Sequence, residues 1–113
     1  MTRDEIELLS GRKLDAAVAR VVFGWYDMYR DTGYPPGWTG SHRLPVPFYT
    51  EEMDAAWRIV DRMEKYGHDF TLEKAGTAWY ATWPLGASGA CDSAPVAICR
   101  GALDVMRAME AQS

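Results

Sequence analysis

Residues 50–84 read TEEMDAAWRIVDRMEKYGHDFTLEKAGTAWYATWP. Met53, Ala56, Trp57, Val60 and Met63 recur at steps of three and four, which places them on one face of a helix. Gly67 stops that helix, and His68 to Lys74 and Thr77 to Trp83 then alternate in the manner of strands across a turn at Ala75-Gly76. An apolar helix face followed at once by a hairpin predicts an α+β domain, a small helix–sheet–helix sandwich whose central element is the hairpin from about His68 to Trp83. Trp57, Phe70, Trp79, Ile98 and Val105 are expected in its core.

In the hairpin, Phe70 and Leu72 alternate with Asp69, Thr71 and Glu73, whereas the second strand is apolar at Trp79, Ala81 and Trp83 and again at Ala78 and Tyr80. Such a strand is expected to be covered by helices on each side or extended by a neighbouring subunit. Two strands are also too few to cover the apolar faces of three helices, so a homo-oligomer, a dimer, is expected unless the 27–49 segment supplies further strands within one chain. Thr50 is read as the N-cap of the helix before the hairpin, with Glu51, Glu52 and Asp54 where the helix dipole favours negative charge. Leu85 to Asp92, rich in Gly, Ala and Ser, is read as a flexible connection. Ser93 then caps a last helix with Pro95 in its first turn. Ile98, Ala102, Val105 and Met109 form one stripe of that helix and Val96, Cys99, Leu103 and Met106 an adjoining one, leaving Arg100, Asp104 and Arg107 as the polar side.

Towards the N-terminus, Thr2 with Glu5 three residues later is a capping box for a short helix ending near Ser10-Gly11. Leu14, Val18, Val21, Val22 and Trp25 continue in helical period, and an interior Gly11 costs only about 1 kcal/mol, so one helix and two are both open. From Asp27 to Tyr49 the prolines of Tyr34-Pro35-Pro36-Gly37-Trp38 and Leu44-Pro45-Val46-Pro47 forbid continuous helix. The order expected along one domain, 1–113, is α-α-loop-α-β-β-α.

With 113 residues, 48% hydrophobic and 25% charged, the chain has the composition of one globular domain with its own core. The longest apolar run, Leu14 to Tyr26, is broken by Asp15 and Arg20 and is too short to span a bilayer, and the acidic start is unlike a signal peptide. A net charge of −4 argues against a general coat for duplex nucleic acid, which needs clustered Lys and Arg. Cys91 and Cys99 are expected to be reduced, Cys99 as a small buried thiol in a helical apolar pattern.

Several blocks resemble a known family. Ser10-Gly11-Arg12-Lys13-Leu14-Asp15-Ala16-Ala17-Val18-Ala19 running to Gly24-Trp25, then Val46-Pro47-Phe48-Tyr49-Thr50, Ala55-Ala56-Trp57, and Ala94-Pro95-Val96-Ala97-Ile98-Cys99-Arg100 with Ala102-Leu103, are similar in order and spacing to the phage ABA sandwich domain family. The resemblance implies a phage or prophage origin and a sheet between helices; with the short apolar run and the acidic start, the host cytoplasm is the expected location. It brings no enzymatic residues.

The residues themselves carry no C-x-x-C, no H-E-x-x-H, no G-x-S-x-G elbow and no phosphate loop, so no catalytic residue, metal or cofactor is assigned. Cys91 with a distant His lacks anything that places the two together. What stands out is Tyr34, Trp38, His42 and Arg43 in one segment, joined by Tyr49. Flat rings stack on bases and Arg pairs with phosphate, and the same residue types populate protein hot spots or pack at a core edge. The expectation is a phage-encoded, non-enzymatic counter-defence inhibitor that binds a host immune protein or its nucleotide signal. The alternatives are a virion or assembly accessory protein and, third, a hydrolase of a small phosphorylated signal.

Overall fold

The computed structural model describes residues 1–25, 36–38, 43–66 and 69–112, with backbone alone at 36–38, 43, 44, 66 and 112. Over these the chain runs α1 (Arg3–Leu8), α2 (Gly11–Val21), β1 (Pro36–Trp38), β2 (Arg43–Pro45), α3 (Met53–Met63), β3 (Thr71–Ala75), β4 (Ala78–Trp83), β5 (Gly86–Ala87) and α4 (Ala94–Gln112). Gly67 and His68, read as the helix stop and hairpin start, lie outside the described residues; α3 passes into a 3-10 turn at Glu64–Tyr66.

Two helices, not one, form the N-terminal stretch. The Glu5 N–H donates to Thr2 Oγ1 at 3.1 Å, which caps α1, and the Leu9 N–H closes its end on the Ile6 carbonyl. Gly11 begins α2 at φ +56°, a left-handed conformation that a side chain resists, and the helical path breaks there.

On α3 the buried residues are Ala55, Ala56, Ile59 and Met63, and Trp57 is 43% exposed instead of in the core. A three-four repeat identifies an amphipathic helix but leaves its rotation open by one residue, about 100°. The small Ala55 and Ala56 face inward, and Trp57 falls at the edge of the stripe, its ring edge-on to Phe70 at 6.3 Å. Thr50 is not the cap either. Glu52 holds that position, and Thr50 is buried, its N–H donating to Asp15 on α2 at 2.8 Å.

In the hairpin Ala75 pairs with Ala78, so the turn is Gly76-Thr77, one residue later than expected, with Gly76 at φ +64°. The stretch from Leu85 to Asp92 is a third strand and not a flexible connection. β5 pairs with β4 through Thr82–Ala87 and Trp83–Gly86, and Cys91 exchanges backbone hydrogen bonds with Trp79 at 2.8 and 3.0 Å. Between those pairings one strand spends one residue more than the other, a bulge. Ser88 repairs it: its Oγ accepts the Ala81 N–H at 3.0 Å, and its own N–H donates to the Ala81 carbonyl at 2.9 Å.

α4 is the element on which the others are built, packing against β4 and β5 on one side and α1, α2 and α3 on the other. Ser93 caps it as read, accepting the Val96 N–H at 3.4 Å. Ile98 and Val105 are buried as expected, among Leu14, Val18, Ile59, Met63 and Leu103, while Phe70 and Trp79 are half-buried. Gly101 lets α4 approach the sheet closely, since a Cβ there would lie 2.7 Å from Trp83 Cζ3. Ala81 and Trp83 bury against α4, but on the opposite face of β4 Thr82 is exposed and Ala78 and Tyr80 are half-buried. Among the described residues, then, β4 has one covered face, and the neighbour on its second edge is β5 of the same chain. The presumed polar side of α4 is also internal: Asp104 is buried, and Arg100 and Arg107 are half-buried. The α+β class holds, with a three-stranded antiparallel sheet packed on helices.

Candidate functional site

β1 and β2 form a separate antiparallel ribbon with Pro36 opposite Pro45, Gly37 opposite Leu44 and Trp38 opposite Arg43. Two of the five candidate residues are therefore direct cross-strand partners where the ribbon gives way to residues 39–42. Tyr34 and His42 lie outside the described residues.

Tyr49, the fifth candidate, belongs to the base of the ribbon and not to its tip. It is 3% exposed and lies stacked on Phe23, with ring centroids 5.4 Å apart and planes 6° from parallel. Burial pushes its hydroxyl pKa up. Its ring is occupied by the core, so it has no free face for a base.

The base is held by a pair on the first turns of α2. Arg12 donates from Nη1 to Asp15 Oδ2 at 2.8 Å and to the Pro47 carbonyl at 3.2 Å, and from Nη2 to the Val46 carbonyl at 2.6 Å. Its guanidinium lies 4.0 Å over the Phe48 ring. Asp15, with no exposed surface, uses its other oxygen to accept the Thr50 N–H. Burial raises the Asp15 carboxyl above its ordinary value, and the bonds from Thr50 and the charge of Arg12 offset this only in part. Residues 46–50 are thus pinned from both sides: by backbone hydrogen bonds to α2 and by the Val46 and Tyr49 side chains in the core.

These anchor residues were missed in the sequence. Asp15 registers there as an interruption of an apolar run and as one residue of a family block, with no role assigned. The available signal is the Arg-x-x-Asp spacing that puts Arg12 next to a carboxylate on the buried face of α2.

A second cluster sits where α1, α4 and β5 meet. Asp104, 2% exposed, accepts from Arg3 Nε at 3.2 Å, Arg107 Nε at 2.8 Å and the Ala87 N–H at 3.0 Å. Burial pushes its carboxyl up, but these donors outweigh it, and the group lies below its ordinary value. Nearby, Arg100 donates to the Leu9 carbonyl at 3.0 Å and to Cys91 Sγ at 3.7 Å. Both cysteines are free and buried, and burial pushes the Cys99 thiol up. Among the described residues no three His, Cys, Asp or Glu gather to hold a metal ion, and no helix is long and apolar enough to cross a membrane. The buried charges are engaged in joining elements, and the arrangement they support is a ribbon presented from a fixed base.

No curated protein and no solved structure matches the chain. The sequence pattern of the phage ABA sandwich domain matches residues 16–103, from the middle of α2 to the middle of α4, and so takes in both the ribbon and the sheet. With that match covering well over half its length, this phage protein belongs to the phage ABA sandwich domain family.

Proposed function

We propose that the chain is a counter-defence inhibitor that works in the host cytoplasm, without catalysis, by stoichiometric binding of an immune protein or its nucleotide signal through the β1–β2 ribbon. The observation that carries this reading is the pairing of Trp38 with Arg43 on a ribbon whose base is fixed by Arg12 and Asp15. Trp and Arg at paired positions are the residue types that supply stacking and anion pairing for a nucleotide, or a hot spot for a protein. Fixing the base before binding reduces the ordering cost of association. His42 and Tyr34, close in sequence to the two ribbon positions, are the neighbouring candidates.

The test is to express the protein in bacteria that each carry one defence system and to score phage growth. One system should become permissive, and binding of its effector protein and of its nucleotide signal is then measured separately. Trp38→Ala with Arg43→Ala should abolish the effect while the circular dichroism spectrum is unchanged. Inhibition that survives the double substitution removes the ribbon from the reading. Defence retained in every system removes the inhibitor itself and favours an assembly role.

A further inference from the structure

The helical side of the molecule carries an apolar groove bordered by positive charge, and beside it a ridge of the opposite character. Three hollows of about 570, 500 and 450 Å³ all include Met1 and together run between α1, α2 and the C-terminal half of α4. Ala17, Val21, Leu103, Met106 and Met109 line them with apolar surface, and Arg3, Arg107 and Glu110 add charge of both signs at the α4 end. Methionine thioethers adapt their shape to what they meet. Lys13 and Arg20 on α2 border the groove, and neither has an ion-pair or hydrogen-bond partner among the described residues.

The ridge is α1. Only Ile6 of that helix is buried, and Leu8, at 83% exposure, is the most exposed large apolar side chain among the described residues. Asp4, Glu5 and Glu7 flank it, and none makes a salt bridge among the described residues. A leucine left in water forgoes roughly 1.5–3 kcal/mol of burial. Glu5 and the following Leu9 also line the groove, so ridge and groove share one face of the molecule.

We propose that this face is an interface between two copies of the chain, in which α1 of each seats Leu8 in the groove of the other and sets its carboxylates against Lys13 and Arg20. A second copy is the occupant that the charges select, because an acidic ridge with one apolar knob complements an apolar groove bordered by Lys13 and Arg20, which have no partner among the described residues. Since both lie on the same face, a single two-fold axis satisfies both contacts at once and closes the assembly. The interface is built from α1, α2 and α4. It stands apart from the proposed function and needs none of it.

Light scattering of the full chain across about 5–500 µM in low salt tests it, a range chosen for a dimer with micromolar affinity. The mass should move from that of one 12.7 kDa chain towards two, and less so in high salt, where exposed charges are screened. Leu8→Glu should weaken the dimer at least about tenfold, as loss of an interface anchor does. Lys13→Glu with Arg20→Glu should weaken it comparably, and adding Asp4→Lys with Glu5→Lys should restore most of the loss, a reversal that general damage to folding does not produce. All these positions are exposed, so none of the substitutions replaces a core side chain. A single-chain mass at every concentration overturns the proposal, as does a dimer indifferent to Leu8→Glu and to the charge reversals. Because no host component enters the measurement, either result leaves the inhibitor reading standing.

Discussion

The two buried carboxylates, Asp15 and Asp104, are nearly equal in burial and each faces arginine, yet their pKa values move in opposite directions. At Asp15 burial prevails over Thr50 and Arg12; at Asp104 the Ala87 N–H, Arg107 and Arg3 prevail over burial. The difference lies in the number and placement of donors. Asp15 has one arginine, itself only 18% exposed and shared with two backbone carbonyls. Asp104 has two, with Arg107 at 27% and Arg3 at 68% exposure, so the pair's positive side keeps much of its hydration. A buried ion pair is therefore described by the solvation of its partners as much as by its own burial.

The largest expected effect ranks the two sites. Asp15→Ala leaves Arg12 enclosed and the buried Thr50 N–H without its acceptor, and should cost about 3–5 kcal/mol. Asp104→Ala strands the Ala87 N–H, but its arginines can turn to water, and about 2–3 kcal/mol is expected. Urea unfolding monitored by tryptophan fluorescence gives both values, and a larger loss at 104 would break the comparison.

Gly86→Ala attacks the Asp104 site without altering a charge. Its Cβ would lie 2.6 Å from the Val105 backbone nitrogen and 2.9 Å from Asp104 Oδ2, so β5 must shift and the Ala87 bond with it. A cost of about 1–3 kcal/mol is expected in the same urea measurement.

Substitution by Asn sharpens the contrast through pH. A raised carboxyl pKa means that the stability Asp15 contributes is present below the unfolded value of about 3.9 and is lost as pH rises through the folded value. A lowered pKa means that the contribution of Asp104 is present above that unfolded value and is lost as pH falls through the folded value. At pH 7 Asp104→Asn should therefore cost more than Asp15→Asn. Thermal melts on descending through pH 4 should show the gap between wild type and Asp104→Asn closing and that for Asp15→Asn widening. Parallel curves would show that the two groups titrate alike.

Thr2→Ala should have the smallest effect, about 0.5–1 kcal/mol, through loss of the α1 cap. Since α1 carries Arg3, local hydrogen exchange near α1 should rise while Asp15 and residues 46–50 are unaffected. Faster exchange at both ends of α2 would mean that the two sites are coupled.

Legibility followed the range of the interactions. The capping of α1 by Thr2 and of α4 by Ser93 was evident because a cap lies within three residues of what it caps. β5 was not: Gly86 and Ala87 have no strand propensity of their own, and their place depends on β4 and on Asp104. For the candidate site, the Trp38–Arg43 pairing was within reach as two members of one aromatic segment. The core position of Tyr49, by contrast, depends on Phe23, distant in sequence and invisible to local pattern.

By itself the sequence determined the α+β class, the hairpin, the burial of Ile98 and Val105 and the family, because periodicity and the order of blocks are properties of the chain. Only the tertiary structure decided which way α3 is turned, that α4 lies between the sheet and the other helices, and that Asp15 and Asp104 are internal. The rotation of a helix by one residue, and the burial of a charge, are settled by the shape and donors of whatever packs against them.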